Sequence, residues 1–124
     1  MDSVLVIDDD ANMRESLSEI LELEGFDCQT AASAKEGLEL CARIKPAALI
    51  TDLQLPDSSG FQICAAARAM SPEMAIIMMT GKSLTPQEKE QGLKLGADEY
   101  LAKPFDIKDL SGRIKRLLVR RTVK

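Results

Sequence analysis

The chain has 124 residues and a formal charge of −4 at pH 7, which suits one domain with a single core. Hydrophobic residues make up 45% of it and aromatic residues only 3%, so aliphatic side chains and methionine must fill that core. The negative charge argues against direct nucleic-acid binding by this domain. The chain has no histidine and no Cys-x-x-Cys pair, which leaves few ligands for zinc or iron–sulfur sites.

The cysteines and the N-terminus indicate a cellular compartment. Cys28, Cys41 and Cys64 are odd in number and widely spaced, and we interpret them as buried thiols in a reducing environment. The N-terminal residues resemble neither a signal peptide nor a membrane span, which would need about 20 apolar residues. We therefore expect a cytoplasmic protein with no membrane partner.

Short apolar runs alternate with amphipathic segments along the chain. The runs occupy residues 4–7, 26–31, 47–51, 74–79 and 99–102. Because they are brief and rich in aliphatic residues, they predict strands rather than helices. The second run alternates loosely with polar residues, which predicts a more exposed strand.

Capping signals mark the helices between these strands. The predicted N-caps are Asp10, Ser33, Thr85 and Asp106, and a further helix is predicted over 61–70. Ser33 and Glu36 have the spacing of a capping box. Gly25 is expected to end the first helix, since glycine readily adopts the conformation that follows a helix.

The fourth helix has a strong start and a weak interior. Thr85, Pro86 and Glu88 supply an N-cap, a proline at the first helical position and the partner of a capping box. Gly96 should end the helix. The helix is polar and has Gly92 in its interior, so we expect it to be the least stable of the five.

Five strands alternating with five helices predict a parallel, doubly wound α/β sheet with helices on both faces. The last helix carries the cleanest apolar stripe, which consists of Ile107, Leu110, Ile114, Leu117 and Leu118. We expect the domain to cover residues 1–120. Residues 121–124 are interpreted as a basic tail that begins a linker to an output domain.

Polar residues follow the predicted buried strands. They are Asp8 and Asp9 after the first, Asp52 after the third, Thr80 after the fourth and Lys103 after the fifth. The carboxyl ends of parallel strands meet at one edge, where open α/β sheets bind ligands. Three clustered carboxylates repel one another and favour a bound cation, and Mg²⁺ prefers oxygen ligands. A metal beside a free carboxylate, with a lysine and a threonine opposite, is what phosphoryl transfer to an aspartate requires.

Each of these residues also has an ordinary structural interpretation. Asp8 and Asp9 could complement a helix dipole, Thr80 could be a turn residue, and Lys103 could be solvated. Three consecutive acids at 8–10 exceed what capping needs. The functional interpretation rests on the joint pattern, in which the residues come from the carboxyl ends of different strands.

The same residues carry a resemblance to a known family. The motifs are Ile7-Asp8-Asp9-Asp10, Asp52-x-x-x-Pro56-x-x-x-Gly60, Met79-Thr80-Gly81, Gly96-Ala97-Asp98 and Tyr100-Leu101-Ala102-Lys103-Pro104-Phe105. In this order they resemble the receiver domain of two-component response regulators over residues 3–120. The resemblance implies the flavodoxin-like, CheY-like fold with strand order 2-1-3-4-5.

The resemblance implies a phosphoacceptor and a metal site. Asp52 would accept the phosphoryl group. Mg²⁺, or Mn²⁺ in its place, would be held by Asp8, Asp9, Asp52 and the backbone carbonyl of Gln54. Gln54 and Lys82 stand at positions that are thought to tune autodephosphorylation in the family.

The resemblance also implies a conformational switch. Thr80 and Lys103 would bind the phosphoryl oxygens, and Tyr100 would turn inward as Thr80 moves toward them. The peptide bond between Lys103 and Pro104 would be cis. Phosphorylation would then change the face built from the fourth helix, the fifth strand and the last helix.

The implied partner is a histidine kinase or a histidine phosphotransfer protein that donates the phosphoryl group. The domain would catalyse only its own phosphorylation and dephosphorylation, and it would control an output such as transcription. A homodimer could form through charged residues on the face built from the fourth helix, the fifth strand and the last helix: Lys94, Asp98, Glu99, Asp109, Arg113 and Arg116. A solvated charged surface is the alternative, since exposed ion pairs contribute little individually.

Three other functions compete with a phosphorylatable switch. An aspartyl-phosphate phosphatase of the haloacid dehalogenase type needs a second aspartate two residues after the nucleophile, where this chain has Gln54. A flavodoxin needs a phosphate-binding turn after the first strand, where this chain has three acids. A degenerate receiver that only docks or dimerises is disfavoured, because all the reactive positions are present.

Overall fold

A computed structural model of the protein describes residues 2–81 and 84–122, with side chains described as far as residue 119. The strands are β1 Ser3–Ile7, β2 Asp27–Ala31, β3 Ala48–Asp52, β4 Ala75–Thr80 and β5 Glu99–Ala102. The helices are α1 Ala11–Leu23, α2 Ala34–Ile44, α3 Gly60–Met70, α4 Pro86–Leu95 and α5 Ile107–Thr122. Strands and helices alternate, as the sequence predicts.

The five strands form one parallel sheet with the order β2-β1-β3-β4-β5. The predicted fold class and strand order are therefore confirmed. The order reverses direction beside β1, so the chain winds outward from the middle of the sheet in both directions. This reversal opens a crevice at the carboxyl ends of β1 and β3, where ligands bind in such folds.

The sheet separates two apolar cores. Val6, Ile50 and Ile77 point to the face that packs against α1 and α5. Their neighbours Leu5 and Leu49 point to the opposite face, which packs against α2 and α3. Successive strand residues point to opposite faces, and both faces are covered, so the central strands are apolar at almost every position.

Local hydrogen bonds explain most helix ends. The Asp10 carboxylate accepts from the backbone N–H groups of Asn12 and Met13 at the start of α1. Gly25, with a φ of 97°, follows α1 as predicted. The predicted Ser33 capping box forms only in part, because the Glu36 carboxylate accepts from Ala32 N–H, one residue before the N-cap.

Helix α4 has the predicted start and little apolar anchoring. Both hydrogen bonds of the capping box between Thr85 and Glu88 are present, and Gly96 ends the helix at a φ of 121°. Within α4 only Gly92 is buried, and Leu93 is 53% exposed. This sparse burial is consistent with the expected low stability of α4, which stays a prediction.

The cysteines depart from the expectation in one case. Cys41 and Cys64 are buried, whereas Cys28 is only half-buried. Cys28 lies on β2, one of the two edge strands of the described sheet, and β2 pairs with β1 on one side. The prediction of three buried thiols is therefore wrong for Cys28. Across the part of the chain that the structure describes, no helix has both the length and the apolar character to cross a membrane.

Candidate functional site

The polar residues predicted at the strand ends gather at the carboxyl edge of the sheet. Asp52 is the last residue of β3 and pairs with Met79 of β4, while Thr80 ends β4 and pairs with Ala102. The backbone N–H of Lys103 donates to the carbonyl oxygen of Thr80 at 2.7 Å. Ladder hydrogen bonds therefore fix the backbone positions of these residues.

Three carboxylates form an acidic cluster. One oxygen each of Asp8, Asp9 and Asp52 lies within 4.8 Å of the others. Asp8 is fully buried and Asp9 is exposed, while the Asp52 side chain is 14% exposed. The cluster therefore runs from the protein interior to the solvent, and Asp52 lies between these extremes.

Lys103 bridges two of these acids. Its Nζ lies 2.8 Å from Oδ2 of Asp8 and 3.2 Å from Oδ2 of Asp52. Burial alone would lower the pKa of the Lys103 ammonium, but its hydrogen bonds and ionic contacts with Asp8 and Asp52 outweigh burial and raise that pKa. Lys103 is therefore a cation at neutral pH and offsets part of the cluster's charge. The Lys103–Pro104 peptide bond is cis.

Backbone groups orient the same carboxylates. Oδ1 of Asp8 accepts from the backbone N–H of Asp10 at 2.9 Å, and Oδ1 of Asp52 accepts from the backbone N–H of Gln54 at 3.2 Å. The Arg14 side chain donates to the carbonyl oxygen of Asp8 at 2.8 Å. In both Asp8 and Asp52, one carboxylate oxygen therefore accepts from a backbone N–H and the other accepts from Lys103.

Gly60 allows α3 to begin directly against the site. Its backbone N–H donates to the carbonyl oxygen of Leu53 at 2.7 Å. A Cβ atom at residue 60 would lie 2.6 Å from the carbonyl oxygen of Asp52, closer than nonbonded atoms approach. The Asp52-to-Gly60 spacing seen in the sequence thus corresponds to a direct backbone contact.

An open cavity of about 470 Å³ gives access to the cluster. It is lined by Asp9, Asp52, Gln54, Leu55, Pro56, Gly81 and Lys103. The cluster offers carboxylate oxygens, and the chain has no histidine, so the donor set suits a hard divalent cation. These residues could therefore bind a metal ion next to the cavity.

Thr80 and Tyr100 occupy neighbouring strands. Thr80 is 5% exposed at the end of β4. Tyr100 packs against the core on the α2 and α3 face, and its hydroxyl donates to the carbonyl oxygens of Glu88 and Lys89 in α4, each at 3.3 Å. The Tyr100 ring therefore points toward α4. Lys82 lies outside the described residues.

The charged residues predicted on the face formed by α4, β5 and α5 do not all pair with one another. Arg113 lies 2.7 Å from Glu99 and 3.2 Å from Asp109, so these residues pair on the α5 side. Asp98 instead pairs with Arg68 of α3 at 3.1 Å and accepts from the backbone N–H of Ile76. Asp98 thus differs from its predicted grouping, because a charged partner and a backbone donor lie on the α3 side.

Sequence reasoning missed one contact near the site. The Asp57 carboxylate accepts from the backbone N–H groups of Ala34 and Lys35, at 2.8 and 3.0 Å. A Pro-Asp-Ser stretch suggests a turn and gives no sign of this contact, because the partner residues are more than 20 positions away in the chain.

The chain matches a known family in sequence. The family model described as the response regulator receiver domain matches residues 4–115. Response regulator MprA from Mycobacterium leprae (strain TN) is 38% identical over 117 residues, which are 94% of this chain and 51% of that protein. The chain therefore spans about half the length of the curated relatives that it matches.

Solved structures with a similar fold are also response regulator proteins. A CheY-like response regulator receiver domain protein from Methanospirillum hungatei JF-1 has a TM-score of 0.93 and 33% identity, covering 98% of this chain and 97% of that chain. A response regulator from Burkholderia pseudomallei, solved with a phosphorylated aspartic acid and a calcium ion, has a TM-score of 0.86 and 28% identity, covering 98% and 71%. With its strand-end acids, its fold and its sequence all in agreement, this chain belongs to the response regulator receiver domain family of two-component systems.

Proposed function

We propose that the chain is a phosphorylatable signalling switch that accepts a phosphoryl group on Asp52. The observation that carries this proposal is the position of the Lys103 ammonium, which contacts both Asp8 and Asp52 and belongs to a residue that lines the cavity. A lysine between carboxylates neutralises charge that would otherwise repel an incoming phosphate. The phosphorylated aspartic acid of the Burkholderia pseudomallei relative supports this assignment.

The proposed reaction is an in-line displacement at phosphorus. An oxygen of the Asp52 carboxylate forms a new bond to phosphorus while the bond from phosphorus to the donor's imidazole nitrogen breaks. The electron pair of the broken bond remains on that nitrogen, so the donor leaves as a neutral histidine after taking up a proton. The Gln54 N–H on Oδ1 and Lys103 on Oδ2 hold the carboxylate in one orientation.

The acidic cluster suits Mg²⁺, with Mn²⁺ as a substitute. Asp8, Asp9, Asp52 and the backbone carbonyl of Gln54 would hold the ion. When bound, it supplies positive charge that neutralises the phosphoryl oxygens. Lys103 and Thr80 would also bind phosphoryl oxygens.

The proposed output is a change in the face formed by α4, β5 and α5. Tyr100 bonds to α4 through its hydroxyl, and Thr80 lies on the neighbouring strand. Movement of Thr80 toward a phosphoryl group would therefore alter the contacts that hold α4. This face would then engage a partner or a second copy of the chain, with Arg113, Glu99 and Asp109 at its rim.

Receiver domains of response regulators interact with histidine kinases, and we propose that such a kinase, or a histidine phosphotransfer protein, is the donor here. We also propose that the whole protein controls transcription. That activity belongs to the whole protein, and this chain spans only about half the length of its curated relatives. A docking module without phosphorylation is the second candidate. The contacts among Lys103, Asp8 and Asp52 favour the first, since docking alone does not need them.

Phosphoryl uptake can be tested by intact-mass measurement. Incubation with Mg²⁺ and acetyl phosphate should add one phosphoryl group to the chain, because the small donor replaces the histidine kinase. Removal of Mg²⁺ with a chelator should abolish the gain. The variant Asp52→Asn should show no gain, since an amide does not attack phosphorus.

The matched control is Asp106→Asn, which changes an exposed aspartate whose carboxylate accepts from the backbone N–H of Lys108 at the start of α5. It should gain mass as the parent does. An equal gain by Asp52→Asn, or uptake that does not depend on Mg²⁺, would contradict the proposed function. No gain by the parent would favour the docking module.

A further inference from the structure

The loop between β3 and α3 is closed on itself at its base. Gln54 and Ser59 form an isolated antiparallel bridge, and the backbone N–H of Leu55 donates to the carbonyl oxygen of Ser58 at 3.1 Å. These bonds make residues 54–59 a narrow turn with Asp57 near its tip. The Leu55 side chain packs against the core on the α2 and α3 face, and the Ser58 hydroxyl donates to the Gln62 side chain of α3. These contacts hold the sides of the turn, so the position of its tip depends on what Asp57 binds.

The tip is held by α2. Both carboxylate oxygens of Asp57 are used: Oδ1 accepts from Ala34 N–H at 2.8 Å, and Oδ2 accepts from Lys35 N–H at 3.0 Å. The first N–H groups of a helix have no partner within the helix and carry its positive dipole end. An anionic side chain with one donor on each oxygen matches them in charge and in number. The two hydrogen bonds also lower the pKa of the exposed Asp57 carboxyl.

Helix α2 has a cap of its own in addition to Asp57. Ser33 is the N-cap, and its hydroxyl accepts from the backbone N–H of Glu36. The Glu36 carboxylate in turn accepts from Ala32 N–H. Local side chains therefore serve the ordinary capping needs of α2, and Asp57 adds a long-range tie between this helix and the loop beside the site.

The same loop also contacts Asp52. The backbone N–H of Gln54 donates to Oδ1 of Asp52, while Leu55 and Pro56 line the cavity. The carbonyl of Gln54 belongs to the proposed metal site. A shift of the loop tip would be passed through the short turn to Gln54, so it would move that carbonyl, whereas Lys103 would still hold Oδ2 of Asp52.

We infer that Asp57 is a positioning residue that docks the β3–α3 loop on the N-terminus of α2 and thereby sets the geometry of the metal site. This inference rests on the proposed function of the site. Residues that orient metal ligands typically contribute about tenfold or more to metal affinity. Asp57 is exposed, so its loss should weaken Mg²⁺ binding by about tenfold, the lower end of that range.

The test compares three variants of the full chain. Asp57→Ala removes the tie, Asp57→Asn removes the same charge but keeps one carbonyl acceptor, and Ser33→Ala weakens the start of α2 without changing the loop. The Mg²⁺ dissociation constant is measured by calorimetric titration, and the rate of phosphoryl uptake from acetyl phosphate is measured as Mg²⁺ is varied.

Asp57→Ala should raise the Mg²⁺ dissociation constant and the half-saturating Mg²⁺ concentration by about tenfold. The rate at saturating Mg²⁺ should stay within about twofold of the parent, because excess ion restores occupancy of the site. Asp57→Asn should fall between Ala and the parent, since it retains one hydrogen bond. Ser33→Ala should match the parent in both measurements.

Three results would overturn the role of Asp57. The first is unchanged Mg²⁺ affinity in Asp57→Ala. The second is an equal loss in Ser33→Ala, which would mean that fraying of α2 causes the effect. The third is an equal loss in Asp57→Ala and Asp57→Asn, which would reduce the role to simple electrostatic attraction. If the parent binds Mg²⁺ but takes up no phosphoryl group, the proposed function fails, while the Mg²⁺ titration still tests Asp57.

Discussion

Gly60 sets how closely the start of α3 approaches the proposed phosphoacceptor. A Cβ atom at this residue would lie 2.6 Å from the carbonyl oxygen of Asp52 and 2.9 Å from the Cα atom of Leu53. Both are backbone atoms, so no change of side-chain rotamer could relieve the contact. A single methyl group here would have to move either the helix or the strand end that carries Asp52.

We therefore expect Gly60→Ala to lower the free energy of unfolding by about 1–2 kcal/mol, since overpacking outweighs the gain in helix propensity. Phosphoryl uptake at Asp52 should slow by about tenfold or more, because the carboxylate is displaced. Urea unfolding and intact-mass kinetics measure the two effects.

Gly112→Ala is the matched control for Gly60→Ala. Gly112 is exposed within α5, and a Cβ atom there would meet nothing within 4 Å. This control should be more stable than the parent by about 0.5–1 kcal/mol, because alanine favours a helix interior. If Gly60→Ala behaved like Gly112→Ala, close contact at residue 60 would not be the reason for glycine there.

Helix α4 contacts the rest of the fold at Gly92, a residue that the sequence alone would suggest weakens the helix. Gly92 lowers helix propensity, yet it is the one buried residue of α4. A Cβ atom at residue 92 would collide with the hydroxyl of Tyr100. The glycine therefore makes room for the Tyr100 side chain, whose hydroxyl binds the carbonyl oxygens of Glu88 and Lys89.

We expect Gly92→Ala to force the Tyr100 ring away from α4. Burial now raises the pKa of the Tyr100 phenol, because it disfavours the phenolate. Exposure of the ring should lower that pKa toward its ordinary value. The chain has one tyrosine and no tryptophan, so titration followed by ultraviolet absorbance reports on Tyr100 alone. Gly112→Ala should leave the titration unchanged, and an unaltered curve for Gly92→Ala would show that Tyr100 does not depend on this glycine.

Element ends show where sequence reasoning succeeds. The start of α4 was predictable, because Thr85, Pro86 and Glu88 act within one turn of the helix. The ends of β3 and β4 extend one residue past their predicted ends, since Asp52 and Thr80 are polar but still pair with β4 and β5. Polarity marks the end of a buried run, whereas pairing continues as far as a neighbouring strand offers partners.

At the scale of the whole molecule, the sequence predicted the sheet because alternating strands and helices leave few topologies open. It also indicated which residues meet at the sheet edge, since parallel strands end together. It could not indicate the bonds from Asp57 to α2 or from Arg68 to Asp98. Such contacts depend on how helices pack on the finished sheet, and local patterns do not encode that packing.

The two apolar cores also determine how the stability of the whole molecule changes at alkaline pH. Burial is the main cause that raises the pKa of the Cys64 thiol from 9.0 to about 11, and it also raises the pKa values of Cys28, Cys41 and Tyr100. Between these two pH values an unfolded chain releases thiol protons that the folded chain retains, so ionisation favours the unfolded state. The free energy of unfolding should therefore be steady near neutral pH and fall by about 2 kcal/mol or more as the pH rises from 9.0 to about 11. Urea unfolding followed by circular dichroism at a series of pH values measures the fall.

The variant Cys64→Ala is the control for this prediction. It should be less stable than the parent at neutral pH, since it leaves a cavity, but its stability should decline less steeply with pH. Stability that stays level or increases through this range would mean that the thiols ionise as readily in the folded chain as in water.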